Sequence, residues 1–162
     1  YFPFAEIEPL REALIGFTTL MTVQALQALS VPVVMPGWNI MTLNGRSVEI
    51  ILACTAIESI ALFSGLIISV RAPIGRRAAA LVVSIISIYI LNLVRNGFVI
   101  MAYGWSWFGS ASFEVAHNLI AKIGSVAALL LISYMIFLLI PELLSIIDEL
   151  AADIRHPRGD AA

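Results

Sequence analysis

At 162 residues, 60% hydrophobic and 12% charged, with a mean hydropathy of +0.99, the chain lies well outside the range of soluble domains, which are about 45–50% apolar and about 25% charged. A net charge of −2 gives no reason to expect a nucleic-acid partner, and a lone cysteine cannot form an internal disulfide. The composition is that of a polytopic membrane protein: an all-α bundle of about four transmembrane helices, with residues 1–162 forming one membrane-embedded domain.

Taken in chain order, apolar runs long enough to cross a bilayer extend from about Leu10 to Leu29, Val48 to Val70, Arg77 to Ala102, and Phe113 to Ile140. Pro141 closes the last, since it has no amide proton to continue the ladder. Between the first two runs lies V-P-V-V-M-P-G-W-N-I-M-T-L-N-G-R-S-V-E-I. Its Pro36-Gly37 and Asn44-Gly45 pairs, flanked by β-prone residues, predict a small hairpin. Y-G-W-S-W-F-G-S-A-S follows the third run, and its Tyr103, Trp105 and Trp107 suit the headgroup level of a membrane. Past Pro141, residues of mixed polarity at helical spacing predict a surface helix over about 142–154, then a flexible tail over 155–162.

The arginines orient the chain. Arg71, Arg76 and Arg77 lie between the second and third runs, Arg155 and Arg158 in the tail, and Arg11 at the start of the first run. Alternating spans put all of them on one side, which the positive-inside rule makes cytoplasmic. The chain begins at Tyr1 and shows no signal peptide. It is therefore read as processed or truncated, or as beginning partway into a longer protein.

Ionisable groups inside spans are costly, so each is a functional candidate. They are Glu58, Arg95, Glu114 and Lys122, joined by Cys54 and His117 as reactive types and by Asn92, Asn96 and Asn118 as polar neighbours. At 1.5 Å per residue, Cys54 lies about 9 Å, Arg95 about 10 Å and His117 about 6 Å in from the outer ends of their helices. All three fall in one outer layer. Asn92 with Arg95, Glu114 with His117, and Glu114 with Asn118 and Lys122 have spacings that share a helix face.

Each residue also has a bland role. A lone cysteine is most often a small packed hydrophobe, an arginine near an interface can snorkel to the headgroups, and His117 can be an interfacial hydrogen-bonder. Glu58, one turn deeper than Cys54, is expected to pair with Arg95 or Lys122 rather than with the thiol, because a neighbouring carboxylate opposes thiolate formation. Together, thiol, imidazole and guanidinium suffice for acyl transfer through a thioester. One cysteine and one accessible histidine fall short of a metal site, there is no phosphate-binding glycine loop, and no cofactor is expected.

A-C-T-A-I-E-S in one run, N-L-V-R-N-G in the next and F-E-V-A-H-N-L in the third resemble the exosortase/archaeosortase family of multi-span membrane transpeptidases. The carrying feature is the Cys–Arg–His order, one per successive helix, over about residues 35–140. Carried over, the resemblance implies that Cys54 is the nucleophile, Arg95 the transition-state stabiliser and His117 the acid/base partner. Glu58, Asn92, Glu114, Asn118 and Lys122 stand around them. Glycine is frequent in the family where Ala56 stands here. Family members usually have about eight spans, so a four-span chain reads as a catalytic half or a minimal member. Its single lysine, composition and compact size lean toward the archaeal branch.

The resemblance further implies a substrate, the C-terminal sorting tail of a secreted protein, and an acyl acceptor, a membrane lipid bearing an amine. Two other readings stay open: a non-enzymatic carrier or subunit whose polar layer binds an ion or small solute, and an intramembrane protease that only hydrolyses.

Overall fold

The computed structural model describes residues 1–144; the surface helix expected over 142–154 and the tail fall almost entirely outside them. A short helix α1 (Phe2–Glu6) leads into α2 (Glu8–Ala28). Three strands follow, β1 (Val34–Gly37), β2 (Ile40–Leu43) and β3 (Arg46–Glu49). After a single 3₁₀ turn over Leu52–Cys54 come α3 (Ile57–Ser69) and α4 (Ile74–Gly104). A π-helical segment, Glu114–Ile120, then runs directly into α5 (Ala121–Leu139).

Among the described residues, two helices are long and apolar enough to cross a membrane: Ile74–Gly104 and Glu114–Leu139. These match the third and fourth predicted runs. α2 has the predicted extent, but Thr18, Thr19 and Thr22 dilute its apolar character; each buries its hydroxyl by donating to the carbonyl four residues back, at 2.8–2.9 Å.

The second predicted run differs most. A continuous helix over about 48–70 is not what forms. Val48 and Glu49 belong to β3, and the helix starts only at Ile57. The reason is local. Ala56 has φ 60° and ψ 10°, a left-handed conformation that cannot propagate an α-helix toward Cys54. At the other end α3 stops at Ser69, where Val70 turns extended with φ −82° and ψ 138°. Thirteen residues reach about 20 Å, less than the roughly 30 Å of a hydrocarbon core.

The predicted hairpin is present and larger than expected. β1, β2 and β3 form an antiparallel meander in that order. Leu43 faces Arg46 across Asn44-Gly45, whose φ values of 52° and 75° are those of the tight turn that Asn-Gly favours. Met41, Leu43 and Val48 point inward and are buried. The sheet rests on the last turn of α4 at Gly104, where a Cβ would stand 2.6 Å from Leu43 Cγ, so only glycine admits this approach. The turn also caps α4: Arg46 donates to the Tyr103 carbonyl at 2.8 Å, Asn44 donates to the Gly104 carbonyl at 3.4 Å, and the Arg46 guanidinium lies 5.2 Å from the Tyr103 ring.

Two apolar clusters hold the chain together. One gathers the sheet, α2 and the C-terminal part of α4, through residues such as Val23, Leu26, Met41, Leu43 and Ile100. The other packs α3, the N-terminal part of α4 and α5, through Phe63, Ile67, Ile88, Ile132 and Ile136. Cys54 belongs to the first and Ala56 packs against the second. The Cys54–Ala56 segment is therefore the seam between them.

Candidate active site

The seam is polar at one place. Asn92 and Asn96, one turn apart on α4, are 7% and 4% exposed. Burying two primary amides is costly unless they are hydrogen-bonded. Both donate through Nδ2 to a single acceptor, the carbonyl oxygen of Cys54, at 2.8 and 2.9 Å. Thr55 donates its hydroxyl to the Leu52 carbonyl at 2.7 Å and tightens the same turn. Cys54 is 8% exposed, and among the described residues its thiol makes no hydrogen bond.

A cavity of about 640 Å³ opens beside this turn. Ala53 and Ala56, the neighbours of the Cys54-Thr55 pair, form one wall. The others are built by Ile88, Asn92, Arg95 and Phe98 of α4 and by Ala121, Lys122, Ser125 and Leu129 of α5. Arg95 and Lys122 are its charged lining residues, with no carboxylate on the wall. The described ion pairs lie elsewhere: Arg76 with Glu142 at 3.0 Å and Arg11 with Glu8 at 3.9 Å. The half-buried Arg95 guanidinium therefore faces the cavity with its donors free of protein partners among the described residues. An apolar chamber with uncompensated cations suits a group that is, or becomes, negatively charged.

The histidine is placed differently from its expected position. His117 sits in the π-helical segment, whose i→i+5 pattern breaks the four-residue repeat predicted for Glu114, Asn118 and Lys122. Its ring stacks on Phe113 at 5.2 Å with a 5° tilt, and Nδ1 lies 3.2 Å from Asn118 Oδ1. With the amide oxygen as acceptor, Nδ1 carries the hydrogen and the lone pair is on Nε2. His117 is not on the cavity wall; Ile120 and Ala121, one turn on, are. Glu114 instead flanks a separate shallow depression with Ser47, Tyr103, Ser110 and Phe113. The aromatics predicted for the membrane surface join up, Trp105 stacking on Trp107 at 5.9 Å and Tyr103 meeting Phe113 edge-on at 5.5 Å.

Glu58 does not pair with Arg95 or Lys122, as its sequence position suggested. It is exposed, in the first turn of α3, where a carboxylate favours the free amide groups of a helix start. Because α3 begins after Cys54, the two residues are not on one helix. Its neighbour is Tyr1, whose phenol pKa it raises above the ordinary value, first by accepting the hydroxyl's hydrogen bond and then by its charge.

The structure thus gathers Cys54, Asn92, Asn96, Arg95 and Lys122 around one turn and one cavity, places His117 and Asn118 one turn above it, and sets Glu58 and Glu114 apart. The N-x-x-x-N spacing puts Asn92 and Asn96 on one face, but their shared partner lies 38 and 42 residues away, beyond the reach of periodicity. No metal-binding group of three or more ligand residues occurs among the described residues.

The chain matches the family model for transmembrane exosortases over residues 1–135. It is 30% identical to Archaeosortase A of Natronomonas pharaonis, across 99% of this chain and 62% of that protein. It is 34% identical to Archaeosortase A of Haloferax volcanii, across 63% of this chain and 39% of that protein. The chain therefore spans less than two thirds of the length of these relatives. No solved structure matches it. With a match over most of its length and membrane-capable helices around the Arg95-lined cavity beside Cys54, the chain belongs to the transmembrane exosortase family.

Proposed function

We propose that this chain carries the catalytic centre of a membrane-embedded cysteine transpeptidase acting on the C-terminal sorting tail of secreted proteins. The observation that supports this best is the Arg95 guanidinium, without protein partners among the described residues, in a cavity walled by the neighbours of the only cysteine.

The steps use this chain's own groups. The Cys54 thiol gives its proton to His117 Nε2, and the sulfur attacks the scissile carbonyl. Negative charge gathers on the carbonyl oxygen, where the Arg95 fork donates to it, with Lys122 adding positive potential. The C–N bond breaks, the leaving amine takes the proton from His117, and a thioester remains. An acceptor amine then loses a proton to His117, attacks the thioester and releases the thiol. The acceptor is a lipid amine, because the cavity is apolar and lies between α4 and α5, where the exposed Val94 and Val126 are themselves part of its wall. His117 and Cys54 are not hydrogen-bonded in this structure, and catalytic contacts of this kind commonly tighten when substrate binds. The sheet and the cavity face outward, and the arginines between α3 and α4 face the cytoplasm.

The test is co-expression of the intact membrane protein with a secreted protein bearing a sorting tail. Cys54→Ala and Cys54→Ser are expected to reach wild-type levels in the membrane and to leave the tail uncleaved. Normal processing by Cys54→Ala overturns the mechanism; a carrier would instead keep its transport function in Cys54→Ser, which cannot form the thioester.

A further inference from the structure

The Cys54 carbonyl has two lone pairs, and α4 supplies a donor for each: Asn92 at 2.8 Å and Asn96 at 2.9 Å. Both donors are buried. The chain thus places two amides between apolar clusters at the one point where its only thiol sits. The turn they hold lies between β3 and a left-handed Ala56. It is closed by its own short 3₁₀ hydrogen bonds, Cys54 N–H to the Ile51 carbonyl and Thr55 N–H to the Leu52 carbonyl, while the two asparagines tie it to α4.

Arg95 lies between the two asparagines in sequence, on the same turn of α4. The group expected to meet the oxyanion and the groups that hold the nucleophile's backbone therefore belong to one rigid helical turn. Such a turn fixes their separation in a way a loop does not. Asn92 differs from Asn96 in one respect: it also lines the cavity, and Asn96 does not. Its amide oxygen, with no protein partner among the described residues, is left to accept an N–H from a bound peptide or amine.

We infer that Asn92 and Asn96 are positioning residues that clamp the Cys54 carbonyl and so fix the sulfur relative to Arg95, and that Asn92 additionally contacts the substrate. This rests on Cys54 being the nucleophile. A purely structural role, polar glue between the turn and α4, makes a different prediction. Glue affects turnover only through the amount of folded protein.

The experiment uses the intact protein in membranes. The rate at which N-ethylmaleimide alkylates Cys54 is followed by mass spectrometry of the peptide that contains it. In parallel, kcat and KM for tail cleavage are measured per folded molecule. A misplacement of about 1 Å costs about a hundredfold in rate, so Asn96→Ala is expected to lower kcat by about tenfold to a hundredfold with KM within about twofold. Releasing the carbonyl loosens a buried turn, so alkylation of Cys54 is expected to speed up while turnover falls. Asn92→Ala is expected to lower kcat similarly and to raise KM as well.

Asn96→Ser, which stays polar but is too short to reach the carbonyl, is expected to behave like Asn96→Ala with less effect on folding. Asn96→Ala or Asn96→Ser with wild-type kcat per folded molecule and unchanged alkylation overturns the clamp. Asn92→Ala with an unchanged KM removes the substrate contact and leaves the clamp. Cleavage by Cys54→Ala instead defeats the nucleophile assignment, so the two failures are told apart.

Discussion

Ala56 carries the left-handed junction on which the placement of Cys54 depends, and replacing it with glycine tests that junction directly. At φ 60° an L-residue pays roughly 1–2 kcal/mol of steric strain that glycine does not. Glycine in turn loses about 0.4–1 kcal/mol more backbone entropy on folding. The methyl group is half-buried against the α3–α4–α5 cluster, and removing it forfeits about half of the roughly 0.8 kcal/mol of a buried methylene. The balance is a variant within about 1 kcal/mol of the parent, on the stable side where the strain is at its upper value. Ala56→Val has no such relief, since a β-branched side chain is a genuine outlier in this region, and it is expected to lose at least about 2 kcal/mol. Ala56→Asn, which tolerates the conformation, falls between them. Unfolding in mixed detergent micelles, followed by tryptophan fluorescence, measures the series. The order Gly, Asn, Val from most to least stable is expected. Equal stability of the Val and Gly variants would refute a left-handed Ala56, and with it the reason that α3 begins after Cys54.

Arg95→Lys keeps the charge but not the planar pair of donors; tail cleavage per folded molecule is expected to fall by about a hundredfold to a thousandfold, and near-wild-type turnover would reduce Arg95 to a source of potential. Gly104→Ala drives a Cβ to 2.6 Å from Leu43 Cγ and is expected to cost about 1–3 kcal/mol by overpacking. Adding Leu43→Ala should recover part of that, as a double-mutant cycle in the same micelles would read. Glu58→Gln is expected to return the Tyr1 phenol titration, followed at 295 nm, toward its ordinary value. In the parent, the raised pKa means the contact supports the fold below the phenol's ordinary value of 10.0 and is lost as pH climbs through the raised value, so the variant should lose this alkaline dependence.

The parts legible in the sequence were those set by composition and short-range pattern. The hydropathy of residues 74–104 and 114–139 marks two membrane-capable helices, and Asn44-Gly45 marks the hairpin turn, because both signals act over a few neighbouring residues. What hydropathy could not reveal was the break at Ala56. The stretch around Cys54 is as apolar as a span, yet its backbone is set by two amide donors from another helix and by one residue with positive φ. Alanine carries no local sign of that. Glu58 was misplaced for the same reason, since an i,i+4 relation to Cys54 means nothing across a helix start. The π-helical segment likewise separated Glu114 from Lys122, because the arithmetic of faces assumes one constant pitch. Asn92 and Arg95 could be grouped from sequence because they sit on the regular part of α4.

The hairpin turn's hold on the end of α4 also has a temporal side. The Arg46 side chain and the Tyr103 carbonyl it caps are separated by 57 residues. At a synthesis rate of about 5–20 residues per second, Arg46 is added to the chain about 3–11 s before its acceptor exists. During that interval the nascent sheet has its two-residue turn and can pack on α2, already made, but not on α4, and Leu43 has no glycine to sit against. The arrival of Gly104 ends the wait. Docking of the sheet on α4 is thus a late event in biogenesis, timed by elongation rather than by the speed of hairpin closure, and slowing translation between the Arg46 and Gly104 codons would lengthen the exposure of Met41 and Leu43 to membrane chaperones.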